Sequence, residues 1–343
     1  MVTYTLKVVE IKQETNDTVT ICFKQPGLKK IKYQAGQYLT LIFKINGRRY
    51  LRPYSFSSAP SVDSHLEITI KRVQNGIVSN HVHDVVKIGD SIEVLQPMGE
   101  FLYQHDEDIK NVFFWGVGSG ITPLFSMIKE ILKNYQSVNV NLIYGTKDNE
   151  NTIFLNKINN LLSYQSDRFK TWNFQSNLSI AEQYPYLIKG RIEREKILEI
   201  LSGFSLSESL HYICGPAGLK ESVREVLKSL GIPDSNVLFE DFELQKDPAD
   251  FTDIITRQIK LDYNGREYAL EIIKGKSILE CALDAGIELP YSCQTGSCST
   301  CKGNLISGIS KMIGLSKERE DLSANEFLLC CTYPLSDNVS IEI

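Results

Sequence analysis

Pro290-Tyr291-Ser292-Cys293-Gln294-Thr295-Gly296-Ser297-Cys298-Ser299-Thr300-Cys301 sets three thiols in one loop with C-x4-C-x2-C spacing. Small residues fill the intervals, so the backbone can fold tightly and aim N–H groups at the sulfurs, with Gly296 free to adopt a positive φ. Of eight cysteines, Cys293, Cys298, Cys301, Cys330 and Cys331 lie near the C-terminus, while Cys22, Cys214 and Cys281 are scattered. A secreted disulfide framework would spread them more evenly. Clustered thiols point to a metal or cluster site. Structural zinc sites usually present two short-spaced pairs, not three thiols in one loop.

The spacing resembles that of plant-type [2Fe–2S] ferredoxins, which take a fourth cysteine far downstream. The resemblance covers residues 258–343, includes Leu328-Leu329-Cys330-Cys331-Thr332-Tyr333-Pro334, and implies an α+β β-grasp domain with Cys293, Cys298, Cys301 and Cys330 as ligands. Cys331 departs from that pattern; on a strand the two neighbours would face opposite sides, so one alone could reach the cluster. Ahead of the loop, Ile259–Tyr263, Asn264-Gly265 and Arg266–Ile272 read as a hairpin. Ser277–Ala285 reads as a short helix that buries Cys281, and 339–343 as a closing strand. Residues 244–257 are polar, contain Pro248 and read as a linker.

Upstream the pattern changes twice. Residues 1–105 are short strands (Thr18–Phe23, Tyr38–Phe43, Arg48–Ser55, His65–Lys71, Ser91–Leu95) punctuated by Gly27, Gly36, Asn46-Gly47, Asn75-Gly76 and Gly89-Asp90. They predict an antiparallel barrel. Over 106–243, apolar strands (Asn111–Trp115, Val138–Tyr144, His211–Cys214, Val237–Phe242) alternate with helical patterns at Leu124–Lys133 and Leu219–Leu230. That alternation predicts an α/β domain with a parallel sheet.

Arg52-Pro53-Tyr54-Ser55 resembles the R-x-Y-S flavin motif of the ferredoxin–NADP reductase superfamily. Arg52 can pair with a flavin phosphate, Tyr54 can stack on the ring system, and Ser55 offers a hydroxyl to the N5 edge. The same resemblance takes in Thr69, Lys71, Gly76, Val78 and Ser79, with Gly76 permitting a turn and Ser79 opening a helix whose N–H groups can hold a pyrophosphate. Trp115-Gly116-Val117-Gly118-Ser119-Gly120-Ile121-Thr122-Pro123 resembles that superfamily's nucleotide turn, with Gly118 and Gly120 allowing close approach and Thr122 placed to cap. Cys214-Gly215-Pro216 matches its C-G-P motif, which implies that Cys214 stands near the nicotinamide. Glu240 and Phe242 match the residues that approach the flavin. After the second strand, Lys147 could hold a 2′-phosphate, while Asp148 would suit a free ribose.

The order of modules looks like the reductase component of multicomponent oxygenases, within the group serving phenylacetyl-CoA epoxidase and ketosteroid hydroxylases. The resemblance implies FAD and a [2Fe–2S] cluster, NAD(P)H as cosubstrate, and an oxygenase component as electron acceptor, with Ser55, Cys214 and Glu240 at the reacting centre. An FMN-type dioxygenase reductase and a non-enzymatic iron–sulfur or zinc sensor are the alternatives. With 37 Lys+Arg against 42 Asp+Glu the net charge is −5, which argues against nucleic acid, and no apolar run has the length of a membrane span. The first residues, Met1 to Glu10, alternate like a strand and lack the profile of a secretion signal, so a cytoplasmic location is expected.

Overall fold

The computed structural model describes residues 2–27, 30–178 and 187–343; Met1 lies outside them. The chain divides into two compact units, 1–240 and 241–343.

The first unit begins with β1 (Thr3–Thr15), β2 (Thr18–Phe23), β3 (Tyr38–Ile45), β4 (Arg48–Ser55), β5 (Leu66–Lys71), the helix α1 (Ile77–Asp84) and β6 (Ser91–Leu95). The sheet order is β4-β3-β6-β1-β2-β5, antiparallel throughout. β1 pairs β6 over Thr3–Lys7 and β2 from Val8 on, with irregularities near Val8 and Gln13 that bend it from one half to the other. A bridge between Phe56 and Ile68 joins the two ends, so the expected barrel closes. Its interior is apolar (Leu6, Ile21, Leu41, Phe56, Ile68, Val94).

The same unit continues with β7 (Asn111–Val117), α2 (Ile121–Asn134), β8 (Asn139–Thr146), α3 (Leu155–Tyr164), β9 (Phe169–Gln175), β10 (Leu187–Lys189), α4 (Arg194–Leu201), β11 (Ser209–Cys214), α5 (Ala217–Ser229) and β12 (Val237–Glu240). The parallel order β10-β9-β8-β7-β11-β12 reverses direction at β7, leaving a crevice at the carboxyl ends of β7 and β11. Alternation along β7 sends Val112 and Phe114 to one core with Leu124, Met127 and Ile131 of α2, and Phe113 and Trp115 to the other with Val223 and Leu227 of α5. The strand expected over 237–242 stops at Glu240. β9 and α3 have weak sequence signals: α3 buries only Ile158 and β9 mixes polar with aromatic residues.

His211 is wholly buried in this sheet, stacked on Phe113 at 4.9 Å. Trp115 Nε1 donates to its Nδ1 at 3.2 Å, and its Nε2 meets Ser209 Oγ at 3.0 Å. Burial pushes its pKa down to about 3.

Barrel and parallel sheet are tied together within the unit. Lys157 of α3 reaches Glu14 of β1 at 2.8 Å, Lys129 of α2 pairs with Asp63, and Ser126 Oγ donates to Ser58 O at 2.5 Å. A buried hydroxyl chain on the outer face of the barrel continues this seam. Glu14 accepts from Thr20 at 2.7 Å, Thr20 meets Thr69 at 2.7 Å, and Thr69 meets Ser57 at 2.8 Å.

The second unit holds β13 (Arg257–Tyr263), β14 (Arg266–Ile272), α6 (Ile278–Asp284), β15 (Lys302–Ser307), β16 (Ser310–Met312), β17 (Glu326–Leu328), β18 (Thr332–Pro334) and β19 (Ser340–Glu342). Five strands form a mixed sheet ordered β14-β13-β19-β15-β17, with β13 and β19 parallel, and β16 pairs β18 separately. The predicted hairpin turns at Asn264-Gly265, both with positive φ. Ser277 caps α6 through a capping box with Glu280, and Cys281 is a core residue.

Residues 244–257, expected as a linker, are docked on this unit. Asp247 caps a short turn over Pro248–Phe251, Phe251 meets the Tyr333 ring edge-on at 5.1 Å, and Ile254 is buried with Ile313 and Tyr333. The polar composition conceals two apolar anchors, Phe251 and Ile254, three residues apart.

Candidate functional site

In the parallel sheet, register alone aligns the expected site residues Cys214 and Glu240 with the strand that leads into the glycine turn. Tyr144, Gly116, Cys214 and Glu240 occupy one row across β8, β7, β11 and β12. The turn after β7 is a single 3-10 turn, Gly118–Gly120, leading directly into α2. Tyr144 Oη donates to Gly118 O at 3.0 Å and so fixes the turn's outer carbonyl. Gly120 packs backbone against backbone: a Cβ there would lie 2.1 Å from Cys214 O. Gly118 has a positive φ of 56°, and a Cβ there would meet nothing within 4 Å, so the face of the turn is open. These features fit a pyrophosphate held at a helix N-terminus.

Thr122 does not cap α2. The helix starts two residues earlier than that reading requires, so Thr122 stands inside the first turn and its hydroxyl donates to Ser119 O at 3.0 Å. Pro216 supplies the start of α5 instead, with Leu219 N donating to its carbonyl at 3.0 Å. Cys214 is buried at the end of β11.

The barrel contributes Ser55, buried at the end of β4, whose Oγ donates to Glu240 Oε2 at 3.3 Å. The R-x-Y-S strand and the β12 carboxylate therefore meet. Tyr54 is largely buried, and burial pushes its hydroxyl up to about 12 against the pull of Arg52. Arg52 Nη1 donates to Leu51 O at 2.8 Å.

Residues 69–79 need more correction. The Thr69 hydroxyl is used on the barrel's outer face by Thr20 and Ser57, and Lys71 Nζ lies 3.4 Å from Asp17. Asn75, not Gly76, takes the positive φ; Gly76 is extended and caps α1, where a Cβ would stand 2.5 Å from Ser79 Oγ. Close approach, not backbone freedom, is what that glycine supplies. Ser79 Oγ accepts from Val73 N at 3.1 Å and locks the turn, while Val78 is buried at its base. The leading N–H groups of α1 remain at the open end of the helix, suited to phosphate oxygens.

Near the β8 end, the Asp148 carboxylate accepts from Asn151 N at 3.0 Å and Asn151 Nδ2 at 2.6 Å, so it is committed to its own loop. Lys147 beside it is exposed. Phe242, in the second unit, is exposed.

In the second unit the four expected thiols converge. Side-chain contacts link Cys298 to Cys293, Cys293 to Cys330 and Cys330 to Cys301. Cys293 Sγ also accepts from Thr295 N at 3.4 Å and Cys298 N at 3.3 Å. The contacts from Cys298 and Cys330 hold its thiol well below the usual cysteine range despite burial. Gly296 has a φ of 73°, and a Cβ there would strike Leu315 Cδ2 at 2.2 Å. No three His, Cys, Asp or Glu side chains among the described residues are grouped for a lone metal ion. A two-iron cluster asks only two thiolates of each iron, which the linked sulfurs and inward amides fit.

Cys330 and Cys331 lie in a turn between β17 and β18, not on a strand. Leu328 O accepts from Cys331 N at 3.0 Å, from Cys331 Sγ at 3.3 Å and from Thr332 Oγ1 at 2.7 Å. Cys331 is thus bonded within the turn and also contacts the Cys330 thiol, while Cys330 reaches Cys293 and Cys301 as well.

Sequence reading missed Arg319. Its Nη1 donates to Gly296 O at 2.6 Å and Cys298 O at 3.3 Å, and its Nη2 to Ser299 Oγ at 2.8 Å. Nothing in Lys317-Glu318-Arg319-Glu320-Asp321 distinguishes it from a solvated charge run.

Comparison with known proteins follows the same three-part order. Residues 5–103 match the oxidoreductase FAD-binding domain, 114–225 the oxidoreductase NAD-binding domain, and 261–335 the 2Fe-2S iron-sulfur cluster binding domain. The chain is 28% identical to a subunit of the 1,2-phenylacetyl-CoA epoxidase of Escherichia coli, covering 99% of this chain and 97% of the other. It is 29% identical to the ferredoxin reductase component of 3-ketosteroid-9-alpha-monooxygenase from Rhodococcus rhodochrous, covering 98% and 96%. The solved structure of phthalate dioxygenase reductase shares the fold with a TM-score of 0.69 at 24% identity, covering 99% of this chain and 98% of that one.

Proposed function

The chain is an oxidoreductase of the ferredoxin–NADP reductase superfamily with a C-terminal plant-type ferredoxin domain, and from that premise we propose that it carries electrons from NAD(P)H to a partner oxygenase. The chemistry supplied by the bound groups is hydride acceptance at the flavin and one-electron relay at the [2Fe–2S] cluster. This chain's residues bind, orient and tune. Tyr54 offers a stacking face, Arg52 a positive charge for a phosphate, and the first turn of α1 its N–H groups. Gly118 and Gly120 shape the nucleotide turn. Ser55, Cys214 and Glu240 border the reacting centre, with Glu240 fixing the Ser55 hydroxyl. Cys293, Cys298, Cys301 and Cys330 are the cluster ligands.

The observation that carries this reading is the Ser55–Glu240 hydrogen bond, because it joins the R-x-Y-S strand of the barrel to the row that contains Cys214 and the nucleotide turn. A phenylacetyl-CoA epoxidase-like oxygenase is the proposed acceptor, on the strength of the match over nearly the whole of both chains. No helix among the described residues is long and apolar enough to cross a membrane. All eight cysteines are unbridged, which supports a reducing, cytoplasmic setting.

The test is purification of the protein with its visible spectrum, chromatography of the released flavin, and reduction by NADH and NADPH in turn. FAD together with iron–sulfur absorbance that bleaches on adding a nicotinamide is expected. Absence of either chromophore after reconstitution would overturn the reading.

A further inference from the structure

Arg319 lies in the loop between β16 and β17, outside the cysteine loop in sequence, yet its side chain is only 13% exposed. Its guanidinium bonds both the cysteine loop and Asp321. Nη1 takes the carbonyls of Gly296 and Cys298, Nη2 the hydroxyl of Ser299, and Nε and Nη2 each bond one oxygen of Asp321 at 2.7 Å. The three loop acceptors come from the residues between the first and third cysteines of the loop.

Two physical consequences follow. In a planar trans peptide the carbonyl and the next N–H point in opposite directions, so binding the Gly296 and Cys298 carbonyls turns the N–H groups of Ser297 and Ser299 away from the guanidinium. The fork thereby fixes two peptide planes, which the point charge of a lysine could not do. It also leaves a permanent positive charge beside the thiolates, partly offset by the Asp321 carboxylate.

We propose that Arg319 is a positioning residue that clamps the cysteine loop in its cluster-holding form and, together with Asp321, sets the reduction potential of the cluster. This rests on the ligand assignment made above. Neither residue touches the reacting atoms: the geometry acts through the loop carbonyls, and the charge acts through space.

The test uses the full chain and the variants Arg319→Gln, Arg319→Lys and Asp321→Asn. Two quantities are read: the rate at which an iron chelator bleaches the iron–sulfur absorbance, and the midpoint potential followed by EPR. Arg319→Gln should bleach about tenfold faster, the scale of a lost outer contact to a metal ligand. Its reduction equilibrium should fall about tenfold, or about 59 mV for one electron, because a positive charge is removed. Arg319→Lys should bleach faster while keeping a potential near that of the parent, since it retains charge without the fork. Asp321→Asn should shift the potential upward. Parent-like bleaching and potential in Arg319→Gln would overturn the proposal. If that variant fails to take up cluster, an unmoved or lowered potential in Asp321→Asn would overturn it instead. A parent chain that shows no iron–sulfur EPR signal would strike at the ligand assignment, not at Arg319.

Discussion

The cysteine loop and the glycine turn after β7 both aim backbone N–H groups at an anionic group, but they are held in shape by opposite means. The cysteine loop is tethered from outside by side chains: Arg319 grips its carbonyls and Leu315 packs against Gly296. The glycine turn is held by backbone on backbone, with Gly120 pressed onto the Cys214 carbonyl of the neighbouring turn. Side-chain tethers yield by degrees when altered, whereas a backbone contact has nowhere to move. The two sites should therefore fail differently.

The largest effect is expected from Gly120→Ala. Its new Cβ would be 2.1 Å from a carbonyl oxygen, so one of the two turns must shift. Overpacking of this kind costs about 3 kcal/mol, and a displaced nucleotide turn should slow flavin reduction by NAD(P)H about 100-fold. Stopped-flow absorbance checks this, and the iron–sulfur spectrum should be unchanged. A parent-like rate would remove the contrast between the two regions.

Within the cysteine site, Cys330→Ser should abolish or strongly perturb the cluster spectrum, while Cys331→Ser should leave it largely intact, because the Cys331 thiol is already used by Leu328 O. Visible and EPR spectra of both variants decide the matter. The reverse outcome would move the fourth ligand by one residue.

Acidification should separate the two regions further. His211 has a folded pKa of about 3, below the unfolded value of about 6.5. Below about pH 6.5 the unfolded state takes up a proton that the fold refuses. Stability of the first unit is thus full above that pH and should fall by about 1.4 kcal/mol per unit towards pH 3. Asp321 is held at about 2 by Arg319, so the clamp keeps its charge through the same window. Both tryptophans, Trp115 and Trp172, lie in the first unit, so their fluorescence in urea titrations at pH 7.5 and 5 reports that unit directly. His211→Gln should flatten the dependence; an unchanged slope would assign it to other groups.

The smallest effect concerns nucleotide choice. With the Asp148 carboxylate turned into its own loop, exposed Lys147 is the proposed partner for a 2′-phosphate. Lys147→Ala should raise KM for NADPH about three- to fivefold, the scale of an exposed ion pair, and leave NADH unchanged. Equal effects on both nucleotides would place Lys147 elsewhere.

What the sequence revealed follows the range of the interactions involved. Thr18–Phe23, Arg48–Ser55, Ser91–Leu95 and the Asn264-Gly265 turn were legible because propensity and turn chemistry are local. The three clustered cysteines were legible because one loop carries them. Thr122 misled because a 3-10 turn moved the helix start. The hydroxyl partners of Thr69 were not legible because Thr20 and Ser57 come from other segments of the chain. Residues 244–257 misled because two apolar anchors decide their docking against the average polarity. Arg319 gave no signal, since its partners in the cysteine loop lie more than 19 residues away in sequence.

The central claim is that electrons enter at the nicotinamide turn and leave through the cysteine site. Freeze-quench EPR of the full chain mixed anaerobically with NADPH or NADH tests it most directly. A reduced [2Fe–2S] signal is expected to appear after flavin bleaching, to be lost in Cys330→Ser, and to be delayed about 100-fold in Gly120→Ala. A flavin that bleaches while the cluster stays oxidised, or a cluster signal that appears at the parent rate in Gly120→Ala, would contradict that path.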